Sequence, residues 1–225
     1  MPAHPPVDTV VLDLDGTLVD TVYQHALAWV AAFDSVHVVV PVFRIHRAIG
    51  MGSDLLVAEV AGDEVEDEHG DAIRACHDRV FADSLPGIHP LPGAAALVAD
   101  LRRRGLRVVL ATSGVPDQIG QLLDLLDARD LAEGSPTTDD VQNSKPAPDL
   151  VDAAVEQAGG TRAAVVGDSV WDVAAAKQAG HYCVALNTGG FSDSELRDAG
   201  ADEVHATPRE LLDALDRTPL RGSRP

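Results

Sequence analysis

Two carboxylates two residues apart, Asp13 and Asp15, close the apolar run Thr9-Val10-Val11-Leu12 and are followed at once by Gly16 and Thr17. In an extended chain, side chains at i and i+2 point the same way. Both carboxylates are therefore expected to face one small volume where the strand ends and glycine allows a sharp departure. One can attack while the other moves protons, which suits phosphate chemistry on a magnesium ion. Thr112-Ser113-Gly114 closes a second apolar run, Lys145 stands between Ser144 and Pro146, and Asp168 and Asp172 follow a third run. The Thr112 hydroxyl can donate to a phosphoryl oxygen, and the amides of Ser113 and Gly114 beside a helix start favour an anion. Asp172, at i+4 from Asp168, reaches the same helix face. Of 17 basic residues only Lys145 and Lys177 are lysines. Lys145 offers a compact point charge for an anion, whereas Lys177 is expected on a solvent-facing helix.

These residues need a scaffold that brings them together. Apolar runs at Leu106 to Ala111, Ala163 to Val166, Tyr182 to Leu186 and Glu203 to Ala206 read as strands. Helical patterns at Gly93 to Arg104, Asp149 to Ala158 and Trp171 to Ala179 alternate with them. The alternation predicts an α/β fold with an open, doubly wound parallel sheet, whose ligands bind at the carboxyl ends of the strands. Asp13, Thr112 and Asp168 all fall at such ends. Residues 21–88 break the rhythm with helical patterns at Tyr23 to Phe33, Ser53 to Val60 and Asp71 to Phe81 and a strand signal at His37 to Val40. The expected division is a core of residues 1–20 and 89–225 and a helical insertion of residues 21–88. The Pro/Gly-rich stretch from Leu85 to Gly93 leads back into the core, and the tail from Arg217 to Pro225 is expected to be loose.

With 225 residues, 45% of them hydrophobic, the chain can bury a full core. The formal charge of 17 − 36 = −19 disfavours nucleic acid and acidic membrane surfaces as partners. A small anion remains compatible, because a divalent cation and a few local basic groups can dominate the field of a cleft. Cys76 and Cys183 form no metal-binding cluster and are expected as buried thiols. No basic and apolar leader is visible, and no run approaches the roughly 18 apolar residues of a membrane span. The expectation is a cytoplasmic monomer or small homo-oligomer.

Taken in order, Asp13-Leu14-Asp15-Gly16-Thr17, Leu110-Ala111-Thr112-Ser113-Gly114, Ser144-Lys145-Pro146-Ala147-Pro148-Asp149 and Val166-Gly167-Asp168-Ser169 with Asp172 resemble the four motifs of the haloacid dehalogenase-like hydrolase superfamily. The likeness is to the helical-cap branch that includes phosphoglycolate phosphatase-like and β-phosphoglucomutase-like members. It implies a Rossmann-like catalytic core, a cap at residues 21–88, and a Mg²⁺-dependent phosphatase acting on a small phosphorylated metabolite through an aspartyl phosphate. In that reading Asp13 is the nucleophile and Asp15 the general acid and then base. Thr112, Ser113 and Lys145 bind phosphate, and Asp13, Asp168 and the Asp15 backbone carbonyl hold the metal. A sugar phosphomutase or a non-catalytic binding module on the same fold are the alternatives. Ser53 stands where the mutase has an arginine, and Thr17 where it usually has valine, and both departures favour transfer to water. His25 is placed to meet Asp15 or to pack in the cap. Arg44, His46 and Arg47 lie in the cap stretch expected to face the site, either to meet a carboxylate or second anionic group of the substrate or simply to be solvated.

Overall fold

The computed structural model describes residues 5–136, 141 and 143–222. In it, β1 (Thr9–Leu12) is followed by α1 (Val22–Ser35), α2 (Val42–Ala48), α3 (Ser53–Ala61), α4 (Asp63–Ser84) and α5 (Ala94–Arg103). Then come β2 (Arg107–Leu110), α6 (Pro116–Asp124), α7 (Asp130–Glu133), α8 (Asp149–Gln157) and β3 (Ala163–Gly167). The chain ends through α9 (Val170–Gln178), β4 (Tyr182–Leu186), α10 (Asp193–Asp198), β5 (Glu203–His205) and α11 (Pro208–Ala214). The strands form one parallel sheet in the order β2-β1-β3-β4-β5.

The near-continuous apolar strands are explained by burial on both faces. Val10 and Leu12 of β1 enter one layer with Leu97 and Leu101 of α5 and Leu123 of α6. Val11 between them enters the opposite layer with Leu150 and Ala154 of α8 and Val173 of α9. The chain leaves β1 to pair β2 on one side and β3 on the other, so the crevice of this sheet opens at the carboxyl end of β1. The α/β class and all five expected strands are present, with ends within one residue of the reading.

Helices α1 to α4 build an apolar cluster of their own, around Trp29, Phe33, Ile45, Leu56 and Ile73. Two connections join this insertion to the sheet and run side by side. Leu91 N–H donates to Leu18 O at 2.9 Å and Asp20 N–H to His89 O at 3.0 Å.

Four expectations need correction. The apolar run His37 to Val40 is not a strand but the exit from α1. His37 sits in the left-handed region at φ 61° and donates to Asp34 O at 3.0 Å, while Val38 donates to Phe33 O at 3.1 Å, a pattern that satisfies the last carbonyls of the helix. Helix α4 begins eight residues before the expected Asp71, because Asp63, Glu64 and Glu66 complement its N-terminal dipole without drawing an apolar stripe. The tail is not loose as far as Gly222: Leu220 is fully buried and Val7 N–H donates to Pro219 O at 3.1 Å. Lys177 is half-buried and pairs with Asp202 rather than facing open solvent. Cys76 and Cys183 are buried free thiols, as expected. Among the described residues no helix is long and apolar enough to cross a membrane.

Candidate active site

Hydrogen bonding carries β1 one residue past its end, because Asp13 N–H donates to Val166 O at 2.9 Å, and the chain then turns sharply. Gly16 lies at φ 77°, and a Cβ there would stand 2.2 Å from Asp168 Oδ2, so only glycine fits. The turn swings Thr17 beneath the carboxylates, where its hydroxyl lies 3.0 Å from Asp168 Oδ1 and 3.3 Å from Asp13 Oδ2. Asp168 follows β3 directly. Behind it, Gly189 leaves room that a Cβ would fill, at 2.1 Å from Asp168 Oδ2.

Lys145 arrives from the loop before α8 and is 4% exposed. Its ammonium donates to Asp13 Oδ1 at 2.6 Å and to Asp172 Oδ1 at 2.7 Å. Burial opposes the charge, but the two carboxylates overcome it and raise the lysine pKa well above its ordinary value. Asp172 is 1% exposed and its other oxygen accepts from the Ser169 amide at 3.1 Å and hydroxyl at 2.6 Å, capping α9. Both Asp172 oxygens are thus engaged, one by Lys145 and one by Ser169, so this residue anchors the lysine from the position its spacing put beside Asp168.

Asp13, Asp168 and Asp172 each offer an oxygen within 4.8 Å of the others. One ammonium cannot offset three buried carboxylates. Burial first, then the neighbouring Asp172 and Asp15 acting against Lys145, push Asp13 up to about 7. Burial and the charges of Asp13 and Asp172 raise Asp168 well above the carboxylate range. An all-oxygen cluster of buried carboxylates fits a hard divalent cation better than zinc.

Asp15 turns toward the helical insertion instead. Its Oδ1 accepts from the Thr21 hydroxyl at 2.7 Å and lies 3.2 Å from His25 Nε2. His25 Nδ1 is 3.0 Å from His77 Nε2, and His77 Nδ1 is 3.0 Å from Asp78 Oδ1. The His25 ring stacks on Phe81 with centroids 3.8 Å apart, and His77 stacks on Trp29 at 4.1 Å. Burial lowers the His77 pKa and so favours its neutral ring. The Asp78 carboxylate only accepts, so His77 Nδ1 donates to it, His77 Nε2 is open to His25 Nδ1, and His25 Nε2 faces Asp15. Burial alone would raise the Asp15 pKa, but His25 and Thr21 outweigh it and hold the carboxyl below its ordinary range. The i, i+2 reading therefore places both carboxylates at one cavity but gives them different partners.

That cavity has a volume of about 300 Å³ and is lined by Asp13, Asp15, Thr112, Ser113, Lys145 and His25, among others. Thr112 is buried and its Oγ1 lies 3.5 Å from Gly114 N. The loop then enters α6 at Pro116, so the Ser113-Gly114 segment stands immediately before a helix N-terminus.

A family model described as haloacid dehalogenase-like hydrolase matches residues 7–180, well over half of the chain. The chain belongs to the haloacid dehalogenase-like hydrolases. It is 30% identical over 204 residues to a phosphoglycolate phosphatase of Caulobacter vibrioides, covering 87% of this chain and 85% of that one. The crystal structure of a hydrolase from Pseudomonas syringae superposes with a TM-score of 0.88 at 36% identity, covering 92% and 97% of the two chains. CbbY from Rhodobacter sphaeroides, solved in complex with phosphate, shares the fold at a TM-score of 0.75 and 24% identity over 91% and 96%.

Within this haloacid dehalogenase-like hydrolase, Asp13, Asp15, Thr112, Ser113 and Lys145 line one cavity and Asp168 stands in the carboxylate cluster with Asp13, whereas Arg44, His46 and Arg47 do not line it. Arg44 donates to Glu59 O at 3.4 Å on the surface, Arg47 pairs with Glu195 at 2.6 Å and lies 4.0 Å over the Phe191 ring, and His46 meets Gly189 O at 2.9 Å. Arg47 and His46 fasten α2 to the core instead of reaching the cavity. Three residues with no role in the sequence reading emerge. Thr17 was visible only as a motif letter, and His77 and Asp78 lie 52 and 53 residues from His25, joined to it by the α1–α4 packing alone.

Proposed function

We propose that the protein is a Mg²⁺-dependent phosphatase of small phosphate monoesters that works through an aspartyl phosphate on Asp13, with residues 21–88 acting as a cap over the site. The observation that carries this reading is the pairing of Asp13 with buried Lys145 beside Asp168, while Asp15 faces a separate hydrogen-bonded partner. Asp13 and Asp168 would hold the ion, with the Asp15 carbonyl as a further oxygen. Bound there, Mg²⁺ supplies charge neutralisation to the phosphoryl oxygens, without which an anionic nucleophile is repelled.

Thr112, the Ser113 segment and Lys145 bind and orient the phosphoryl group. Asp13 Oδ attacks phosphorus as the ester bond breaks, and the leaving alkoxide takes the proton shared by Asp15 and His25. Phosphate's negative charge beside Asp15 favours that proton on the carboxyl just when it is needed. In the second half Asp15 accepts a proton from water, which attacks phosphorus, releases inorganic phosphate and restores the Asp13 carboxylate. The paired linkers at Leu18–Asp20 and His89–Leu91 are the hinge of the cap, which excludes water for the first half and admits it for the second.

The first test is inorganic phosphate release from a panel of monoesters with Mg²⁺ and with EDTA. Metal-dependent release is expected; release untouched by EDTA would contradict the reading. A pH test follows from Asp13. Its raised pKa makes a stabilising contribution that is complete below the ordinary carboxyl value and lost as pH rises through about 7. Buried His77 titrates in the opposite sense, so Tm by itself is ambiguous. Mg²⁺ competes with the carboxyl protons, so the Tm increase it causes should be larger at about pH 8 than at about pH 6. A Mg²⁺ effect equal at both would contradict ligation by this cluster.

His25→Ala should separate proton transfer from binding. With an alkyl phosphate, whose leaving group needs a proton, kcat should fall by about 10²-fold, whereas with p-nitrophenyl phosphate it should change only a few-fold. Equal losses on both substrates would show that His25 only packs.

A further inference from the structure

If the site is a phosphatase, the leaving oxygen sits at Asp15 and the rest of the substrate lies against the cap side of the cavity. That wall holds Trp29, Leu56, Ser53, the paired rings of His25 and His77, and Asp78, which is anionic with its side chain 46% exposed, and Gln118 of α6 adjoins it from the core. Among the described residues lining the cavity, Lys145 is the only lysine or arginine, and it is engaged by Asp13 and Asp172. No arginine lines the cavity among the described residues, and those of the helical insertion make other contacts. Arg79 donates to Cys76 Sγ at 3.2 Å, Arg47 pairs with Glu195, and Arg44 reaches a surface carbonyl.

We propose that Asp78 makes this cavity a charge filter, so that the enzyme takes phosphate monoesters whose alcohol part is uncharged and rejects those bearing a second anion such as a carboxylate. This rests on the phosphatase reading above. Hydroxyl groups suit the wall, because Ser53 and Gln118 can both donate and accept and the Asp78 carboxylate accepts. A carboxylate meets like charge at Asp78, while Lys145 and His25 of the lining are already held by Asp13, Asp172 and Asp15, in a cleft where screening is weaker than in bulk water. The proposal sets this chain apart from its 30% identical Caulobacter relative, which carries the name phosphoglycolate phosphatase.

The test compares kcat/KM for glycerol phosphate, phosphoglycolate and p-nitrophenyl phosphate in the wild type, Asp78→Asn and Gln118→Lys. Asparagine keeps an oxygen that can accept from His77 Nδ1 while removing the charge. Gln118→Lys leaves Asp78 in place and adds a cation next to it, since Gln118 Nε2 donates to Asp78 O at 3.1 Å. The wild type should prefer glycerol phosphate over phosphoglycolate by at least about tenfold, and each variant should narrow that ratio about tenfold. Because the readout is a ratio within one protein sample, partial loss of folded enzyme does not distort it. A wild type that hydrolyses phosphoglycolate as well as glycerol phosphate overturns the filter. A preference that neither variant narrows overturns the assignment to Asp78. Absence of release from all three, including p-nitrophenyl phosphate, removes the phosphatase reading itself and the filter with it.

Discussion

Asp13→Asn should fold normally and lose phosphate release by on the order of 10⁴-fold or more, the scale on which removal of a nucleophile is felt. An amide oxygen is too weak a nucleophile to form the phosphoenzyme, yet it can still accept the 2.6 Å bond from Lys145 Nζ. The substitution also removes one of three carboxylates crowded within 4.8 Å. In EDTA at a pH above 7, Tm of the variant should therefore be no lower than that of the wild type, although its Tm increase on adding Mg²⁺ should shrink. Parallel kcat and thermal measurements check both halves. Activity within about tenfold of wild type would mean that water attacks phosphorus directly.

Lys145→Ala should damage stability as well as rate. Removing the ammonium leaves Asp13 and Asp172 buried without their cation, and breaking a buried ion pair this way costs about 3–5 kcal/mol. For a domain of this size that is a fall in Tm of roughly 10 °C. Release of phosphate should fall by on the order of 10³-fold, because Lys145 is the cavity cation that can meet the phosphoryl oxygens. Lys145→Arg should not restore activity, since a forked guanidinium cannot occupy a fully enclosed slot between two carboxylates. In an Asp172→Asn background the stability cost of Lys145→Ala should shrink by about 1–2 kcal/mol, as expected for residues in direct contact. Simple additivity of the two changes would deny that Asp172 anchors the lysine.

Asp13, Asp15, Thr112 and Asp168 were legible because they sit at or just past strand ends, where spacing alone dictates direction. Asp13 and Asp168 lie at the ends of neighbouring strands β1 and β3, so their meeting follows from one sheet register. Lys145 stood out chemically, as one of two lysines, but its bridge to Asp172 depends on α9 packing and could not be read. Asp172 shows the limit of helical spacing: i+4 correctly put it near Asp168, while the capping box with Ser169 decided where its oxygens went. The cap was harder to read. Its acidic entry into α4 shows no apolar period, and the left-handed His37 turn is hidden in a run of valines. Gly50 and Gly52 sit where the helical insertion packs tightly on the core. A Cβ at Gly50 would stand 2.5 Å from Ser169 Oγ, and one at Gly52 2.1 Å from Ser144 Cβ. For the basic residues of the insertion, charge left substrate contact and solvation equally open, whereas tertiary packing gave Arg47 a core partner in Glu195.

Chemical trapping of the phosphoenzyme addresses the account most directly. Wild-type protein is mixed with Mg²⁺ and a ³²P-labelled monoester that it turns over, quenched in acid within the first turnovers, reduced with borohydride and mapped by peptide mass. The account predicts acid-stable label on the quenched protein, conversion of Asp13 to homoserine on reduction, and neither in Asp13→Asn. Turnover without labelled protein, or label on any residue other than Asp13, would contradict it.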